Sequence, residues 1–285
     1  MGQEEDLELL ATQFGISNAV KIQPHQILKR KDMGAVIISG GQDQEEDKPF
    51  SDRQIAKLSK ILQGTDKITS SNPNGLNHNR KNDQPVLIIC ESLAEAKILY
   101  EKIAVSYGPD QIQMIDGSES DVEMERRIHK AGQKDMITIS TPISGRGTDI
   151  RISKESQEDG LYTIAMSVFN ERETAQIEGR SGRNGAQGKT LSLINANKPS
   201  IRDALSTVLS RVVPHEEVKG VVDSGEDSAV VARYKTSLSD SEIAIELRNV
   251  LFSHNRETLK KQVAESELIE DKYREFCFFR EELLR

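Results

Sequence analysis

Cysteine is scarce in this chain of 285 residues, and long apolar runs are missing. The two cysteines, Cys90 and Cys277, lie far apart, so they predict no disulfide framework and no metal site, as is usual in a reducing compartment. A transmembrane helix needs ~20 consecutive apolar residues, and no stretch approaches that length. With 36% hydrophobic and 29% charged residues, the composition is typical of a soluble, globular protein. We expect a cytoplasmic location, with peripheral membrane contact only through a longer, complete protein.

Positive charge is also in short supply. The 38 lysines and arginines are outnumbered by 46 acidic residues, which gives a net charge of -8. Because nucleic-acid-binding proteins are usually basic, this balance counts against nucleic acid as a partner without excluding a local basic patch. The first six residues lack the positive and apolar regions of a secretory signal peptide.

Short apolar segments alternate with helical patterns through the middle of the chain. Continuous apolar runs of this length are typical of buried parallel strands. Their alternation with helices predicts an α/β fold whose parallel sheet is covered by helices on both faces. In such sheets ligands bind beyond the carboxyl ends of the strands, so we expect the chemistry there. The predicted strands are residues 86–90, 112–115, 136–140, 161–169 and 190–194.

Composition divides the chain into three regions. Residues 1–84 combine a short strand at 36–38, a helix and a polar, Asn-rich loop, and we expect them to pack on the core. Residues 85–198 form the core lobe with the apolar strands. Residues 199–285 have helical patterns with few breaks, which predicts a helical C-terminal extension.

Serine stands at three positions that predict helix starts. Ser92 with Glu95, and Ser239 with Glu242, have the spacing of a capping box, in which each residue satisfies a backbone donor. Ser51 predicts a helix over the residues that follow it. That helix is expected at 51–63, with Ile55, Leu58 and Leu62 on its inner face.

A glycine-rich turn follows the third predicted strand. In Gly145-Arg146-Gly147-Thr148-Asp149 the glycines permit tight turns and the close approach of a ligand. Arg146 offers a forked donor and Asp149 an acceptor. On spacing alone, an ordinary strand-to-helix turn with Arg146 paired to Asp149 explains these residues equally well.

Two arginines three positions apart mark a second motif, QIEGRSGR. We predict a helix over 173–182, on which Arg180 and Arg183 would share one face. Two rigid guanidinium groups side by side suit a polyphosphate, because they donate paired, charge-assisted hydrogen bonds. Taken alone, the motif also fits a solvated basic face paired with Glu173 and Glu178. Since both motifs follow buried strands of one sheet, we favour a nucleotide.

Gly-Lys-Thr at residues 188–190 matches the last residues of a Walker A phosphate loop. That loop needs a glycine five positions before its Gly-Lys pair, where this chain has Arg183. A true Walker A loop also opens a helix, whereas Lys189 and Thr190 begin a predicted strand. No other stretch fits the motif and no acidic Walker B strand is evident. We therefore expect this chain to lack the groups that hold the β-phosphate and Mg²⁺.

The two motifs resemble motifs V and VI of superfamily 2 helicases. The sequence around them is similar to the second nucleotide-binding domain of the preprotein translocase ATPase SecA. The SecA-like sequence segments are residues 85–100, 129–150 and 160–185. Residues 21–25, together with 30–32, resemble the strand by which the SecA chain enters this domain. The resemblance spans roughly residues 7–195 and favours a SecA-like motor over a nucleic-acid helicase.

This resemblance implies a RecA-like lobe and a role for each motif. Arg183 would be the arginine finger, with Arg180 beside it on the phosphates. The cofactor would be ATP, whose Mg²⁺ would be held mainly by a first lobe elsewhere in a longer chain. The residues that the resemblance implies for lining the nucleotide are Gly145, Arg146, Gly147, Asp149 and Gln176.

Three functions fit these residues. The first is the second motor lobe of a SecA-like ATPase that moves or remodels polypeptide, with the first lobe and a polypeptide client as partners. Alone, such a lobe should bind ATP weakly and not hydrolyse it. The second is a non-catalytic, SecA-like module that docks a protein partner. The third is the C-terminal lobe of a nucleic-acid helicase, which would require salt-sensitive oligonucleotide binding.

Overall fold

A computed structural model describes residues 29–38, 49–66, 77–81, 83–142, 149–211 and 239–252. Its centre is a six-stranded sheet, in which every neighbouring pair is parallel and the order is β1-β6-β5-β2-β4-β3. The α/β class and the parallel sheet predicted from the sequence are confirmed. The strands are β1 (Arg30–Ile38), β2 (Val86–Ile89), β3 (Ile112–Met114), β4 (Ile137–Ser140), β5 (Leu161–Ala165) and β6 (Gly188–Asn195).

Helices fill most of the connections between the described strands. None in the described part of the chain is long and apolar enough to cross a membrane. The helices are α1 (Asp52–Leu62), α2 (Leu93–Ala104), α3 (Asp121–Ala131), α4 (Glu171–Glu178), α5 (Pro199–Ser210) and α6, at 240–252.

The first face of the sheet is covered by α1 and α2. Val86 and Ile88 of β2 point to this face, together with their register neighbours on β4 and β5. Leu58 of α1 and Leu99 of α2 pack against them, and both are fully buried. Apolar burial of this kind is the main force that holds helices on a sheet. The buried Cys90 belongs to the same cluster.

The second face of the sheet is covered by the remaining helices. Leu87 and Ile89 of β2 point to this side and cluster with Ala131 of α3 and Ile177 of α4. Towards β6, α5 and α6 pack against Ile194 and the end of β1. The prediction of helices on both faces is therefore confirmed.

Strand β1 forms one edge of the sheet, and α6 covers part of its free side. The backbone N–H of Ala35 donates to Ser241 Oγ at 3.2 Å, and that of Ile37 donates to Asp240 Oδ2 at 3.3 Å. These side chains satisfy donors that an open edge would leave for another strand. The described parts of the predicted C-terminal extension are helical, while residues 212–238 and 253–285 lie outside the described ranges.

The predicted helix starts are observed. Ser51 Oγ accepts from Gln54 N and Ser92 Oγ accepts from Glu95 N, each at 3.2 Å. At α6 the capping box is reciprocal, because Ser239 N donates to Glu242 Oε2 at 2.7 Å and Glu242 N donates to Ser239 Oγ at 3.3 Å. Local spacing sufficed here because each cap involves residues only three apart.

Two predicted strands have different bounds in the structure. The apolar run at 161–169 is a strand only as far as Ala165, and Met166 N adds one last hydrogen bond to Ile89 O at 2.9 Å. Met166 and Phe169 are buried in the apolar clusters on the two faces of the sheet. Conversely, β1 begins at Arg30 and not at residue 36, because its polar first residues pair with the start of β6. Apolar patterns report burial, which does not coincide with the hydrogen-bond ladder.

Candidate functional site

The second motif forms a turn between α4 and β6, which we call the arginine turn (residues 179–183). Helix α4 ends at Glu178, and Gly182 has φ +74. The predicted helix over 173–182 is therefore too long, and the two arginines do not share a helix face. The physical reason is the positive φ at Gly182, a conformation outside a right-handed helix. A Cβ there would lie 3.1 Å from Arg30 Cβ, so the turn packs tightly on β1.

The arginine turn lies at the amino ends of the strands. Gly188, the first residue of β6, pairs with Arg30 and Leu161, the first residues of their strands. A Cβ on Gly188 would lie 2.6 Å from Gly182 N. The expectation of chemistry at the carboxyl ends is therefore wrong for this motif. Helix α4 begins near the carboxyl ends of the strands and runs back along the sheet. The motif that follows its last residue therefore lies at the amino ends of the strands.

Salt bridges occupy part of the carboxyl edge. Lys198, just before α5, pairs with Glu95 at 2.9 Å and also with Glu91, which follows β2. Ser167, after β5, donates to Glu91 as well. This arrangement ties together the segments that leave β2, β5 and β6, and its charges are largely paired with one another.

Arg183 is held in place by two contacts. Its Nε donates to the carbonyl oxygen of Gly179, and its Nη1 lies 3.3 Å from Asp149 Oδ1. The side chains of Arg183 and Asp149 are 40% and 48% exposed. The structure thus brings the second motif to the last residue of the first motif. Gly145, Arg146 and Gly147 lie outside the described residues, so the alternative pair of Arg146 with Asp149 remains a hypothesis.

Arg180 lies deeper than Arg183. It is only 8% exposed, and its neighbour Ser181 shares a hydrogen bond of 2.6 Å with Thr163 of β5. Burial, followed by the positive charge of Arg183, lowers the pKa of Arg180 to about 10. The group still carries its charge at neutral pH. In this conformation Arg183 is the more open of the two to a ligand, and Arg180 adds positive potential from behind it.

Glu178 anchors the arginine turn to β1. Its Oε2 lies 3.0 Å from Arg30 Nη2. The pKa of Glu178 is raised, chiefly by burial and in part by the negative charge of Asp32. The positive charges of Arg30 and of Arg248 on α6 act in the opposite direction. Sequence reasoning left Glu178 as a partner for the nearby arginines and missed its pairing with Arg30. Only the parallel pairing of β1 with β6 brings Arg30 to it, so no local signal could have revealed the pair.

A cavity of about 30 Å³ lies beneath Glu178. Asp32, Glu178 and Arg248 supply its charged lining, small hydroxyl side chains of β5 and β6 add polar groups, and apolar side chains complete the wall. The Nε of Arg248 is buried and has no hydrogen-bond partner among the described residues. The polar cavity therefore connects α6, in the C-terminal extension, to the base of the arginine turn.

The remaining candidate residues are partly placed. Gln176 lies half-buried on α4, one turn before the arginine turn. Gly188-Lys189-Thr190 lies within β6 and opens no helix, so this stretch is not a phosphate loop, as predicted. Within the described ranges no group of three or more His, Cys, Asp or Glu side chains is arranged to hold a metal ion.

Comparisons with known proteins show similarity to SecA proteins. Residues 61–174 match the family model described as the SecA P-loop domain. A protein translocase subunit SecA of Clostridium botulinum (strain Hall) is 28% identical over 203 residues, which is 70% of this chain and 22% of that protein. The SecA of Heliobacterium modesticaldum is 32% identical over 142 residues, covering 49% of this chain and 15% of the relative. This chain therefore spans about a fifth of the length of such relatives.

Solved structures with a similar outline include yeast Dbp5 L327V bound to RNA and ADP BeF3. It has 14% sequence identity and a TM-score of 0.44, covering 79% of this chain and 53% of that one. Domain 2 of the DEAD-box helicase Mss116p, bound to an RNA duplex, has 14% identity and a TM-score of 0.39. The match covers 79% of this chain and 87% of that one.

Proposed function

We propose that this chain, which resembles SecA, serves as the second nucleotide-binding lobe of an ATPase that moves or remodels polypeptide. A first lobe, elsewhere in a longer chain, would supply the phosphate loop and most of the Mg²⁺ ligands. The complete protein would act in the cytoplasm, with peripheral membrane contact made only by its other parts. The observation that carries the proposal is the half-exposed Arg183, held beside Asp149 at the last position of the first motif.

Arg183 has the geometry to exchange one anionic partner for another. Its pair with Asp149 is solvent-exposed and long, at 3.3 Å, and exposed pairs of this kind contribute only ~0–1 kcal/mol. A triphosphate that approaches this face offers more negative charge and more acceptor oxygens than one carboxylate. The hydrogen bond from Nε to Gly179 keeps the guanidinium on the turn during such an exchange.

The chemistry assigned to this lobe is charge stabilisation. Arginines aimed at a transferring phosphoryl group accelerate its transfer by ~10³–10⁵ where they have been removed and tested. In this proposal Arg183 is the arginine finger, and Arg180 supports it electrostatically or contacts the phosphates after the lobes close. Asp149, Gln176, Gly145, Arg146 and Gly147 line the nucleotide. ATP binding would draw the two lobes together, and loss of the γ-phosphate would release them.

The proposal is tested by nucleotide binding to the isolated chain. We expect the isolated chain to bind a fluorescent ATP analogue weakly in the presence of Mg²⁺, as measured by anisotropy, and not to hydrolyse ATP. Arg183→Ala should weaken binding by about tenfold to a hundredfold, since a charge-assisted hydrogen bond is worth ~1.5–3 kcal/mol. The matched control is Arg172→Ala, which removes an exposed arginine from the start of α4 and should leave binding unchanged.

Two outcomes contradict the proposal. One is equal binding by the parent chain and the Arg183→Ala variant. The other is Mg²⁺-dependent ATP turnover by the pure chain that survives this substitution. If the chain binds no nucleotide but captures a protein partner regardless of ATP, the docking-module alternative is favoured. If it binds oligonucleotides with a steep salt dependence, the helicase alternative is favoured.

A further inference from the structure

A second, basic cavity lies at the amino ends of the strands and takes no part in the proposed function. Its volume is about 380 Å³, within the range of ligand pockets in proteins. Cations from three separate segments meet there, namely the starts of β1 and β6 and the residues that precede β2. The basic side chains that line it are Lys29, Lys31, Arg80, Lys81 and Lys189.

This basic cavity has too few acidic partners for its cations. Arg80 pairs with Asp135 at 2.6 Å, and Lys81 pairs with Asp159, which also lines the cavity. Among the described residues no carboxylate forms an ion pair with the three other lysines. Within the described part of the chain the cavity therefore holds an excess of positive charge, although the whole sequence has a net charge of -8. The three lysines without an ion pair among these residues are Lys29, Lys31 and Lys189.

Lys189 makes this excess costly. Its Nζ donates to the backbone oxygen of Asn79 at 3.4 Å and lies 5.7 Å from the centre of the Tyr162 ring. Burial, followed by the charge of Lys81, lowers the pKa of Lys189. Lys189 is half-buried and forms no ion pair with a carboxylate among the described residues, so burial removes hydration that its contacts there replace only in part. A bound anion would compensate for that loss.

The basic cavity and the arginine turn lie on opposite faces of the sheet. Lys189 and its register neighbours, Lys31 and Tyr162, point to the side covered by α1 and α2. Gly188 faces the other side, where it contacts Ser181 of the arginine turn. The two sites share one edge of the sheet but use different side chains, so an anion in the cavity is separate from the nucleotide phosphates at Arg183.

The lining of the cavity indicates the class of ligand. Apart from the cations it offers the polar side chains of Asn77, Asn79 and Gln187, and its apolar member Met33 is buried. Tyr162 is fully buried beneath Lys189, so the described lining offers no open aromatic face for a base to stack on. We propose that the cavity binds a compact, multiply charged phosphate-type oxyanion, held by Lys31 and Lys189 with Lys29 at the rim.

The test uses inorganic tripolyphosphate, titrated into the chain by calorimetry. The chain carries Arg183→Ala, so that the proposed arginine finger does not contribute and the result does not depend on that assignment. Replacing Lys31→Gln and Lys189→Gln together should weaken binding at least about tenfold, since two charge-assisted contacts are lost. The control, Lys60→Gln with Lys130→Gln, removes the same charge elsewhere and should change binding by less than about twofold.

Three results would overturn this inference. The first is that tripolyphosphate shows no measurable binding. The second is an equal loss of affinity in the two double variants, which would mean general electrostatic attraction. The third is that a glutamate-rich peptide binds more tightly than tripolyphosphate and displaces it. Circular dichroism and melting temperature verify folding. Should Lys189→Gln unfold the chain, Lys29→Gln with Lys31→Gln replaces it, because both of those side chains are exposed. This substitute pair should weaken binding by about the same factor.

Discussion

At the scale of single residues, the position of Arg183 depends on the absence of side chains around it. Gly188 begins β6 directly beneath the arginine turn, with its missing Cβ 2.6 Å from Gly182 N and 2.8 Å from Ser181 Cβ. Backbone atoms cannot move aside as the end of a flexible side chain can. The two segments therefore approach as closely as glycine allows, and the turn presents Arg183 from a rigid base.

Gly188→Ala tests that close approach. The added methyl group must displace the arginine turn, so we expect a loss of stability of about 1–3 kcal/mol together with weaker nucleotide binding. Gly185→Ala is the control, because a Cβ there meets nothing within 4 Å although φ is +78. It should cost about 1–2 kcal/mol for the left-handed backbone and leave nucleotide affinity intact. Denaturant unfolding and anisotropy measure both quantities, and an unchanged affinity for Gly188→Ala would refute a rigid base.

At the scale of elements, α1 is fastened to the sheet by a polar residue as well as by apolar ones. Gln54 is fully buried, and its Nε2 donates to the carbonyl oxygens of Met166 at 3.0 Å and Leu193 at 2.9 Å. These two acceptors lie after β5 and within β6. The amide thus joins α1 to both segments at a point where the ladder between β5 and β6 has ended.

Gln54→Leu should destabilise the fold while keeping its volume. The substitution leaves two inward-facing carbonyl groups without this donor, and an unsatisfied buried acceptor costs about 1–3 kcal/mol. Gln63→Leu serves as the control, since Gln63 is exposed at the end of the same helix and should shift stability by less than ~0.5 kcal/mol. Urea unfolding of the three proteins decides the question. Equal midpoints for Gln54→Leu and the parent would show that the bridge contributes nothing.

At the scale of the whole molecule, the two faces of the sheet carry different sites. The arginine turn and the polar cavity under Glu178 lie on the side with α4 and α6, whereas the basic cavity lies on the side with α1. The α1 side also encloses His78, which is only 4% exposed. Tyr162 Oη donates to the backbone oxygen of His78 at 2.8 Å and holds this segment against the core.

The burial of His78 should make the stability of the fold sensitive to mild acid. Burial, followed by the charge of Lys57, lowers the pKa of His78 below its usual 6.5. As the pH falls through that value, the unfolded chain takes up a proton before the folded chain does. Stability is therefore full above the ordinary histidine pKa and is lost progressively below it. His78→Gln should flatten this part of the profile.

The measurement is the free energy of unfolding between about pH 7.5 and 5, which extends about one unit above and about one and a half units below the ordinary histidine pKa. The slope of the profile matters here, and the absolute stability of each variant does not. His129→Gln is the control, because His129 is exposed on α3. Its profile should run parallel to that of the parent chain. A parallel profile for His78→Gln would mean that this histidine does not titrate differently in the two states.

The sequence by itself determined the features that depend on near neighbours. Apolar runs marked the buried strands, Ser51, Ser92 and Ser239 marked helix starts, and the strand character of Gly188-Lys189-Thr190 excluded a phosphate loop. The sequence around the two motifs also indicated a resemblance to SecA, and the comparisons confirmed this resemblance. Periodicity and capping are local properties, because they involve residues within one or two turns of each other.

Only the tertiary structure decided where the motifs meet. The return of α4 to the amino edge, the pairing of Arg30 with Glu178 and the gathering of Lys31 with Lys189 all follow from the parallel pairing of β1 with β6. These residues lie far apart in the sequence, as Arg30 and Glu178 show with a separation of 148 positions. Strand order sets such contacts, and strand order is chosen by the packing of the entire sheet and not by any one segment.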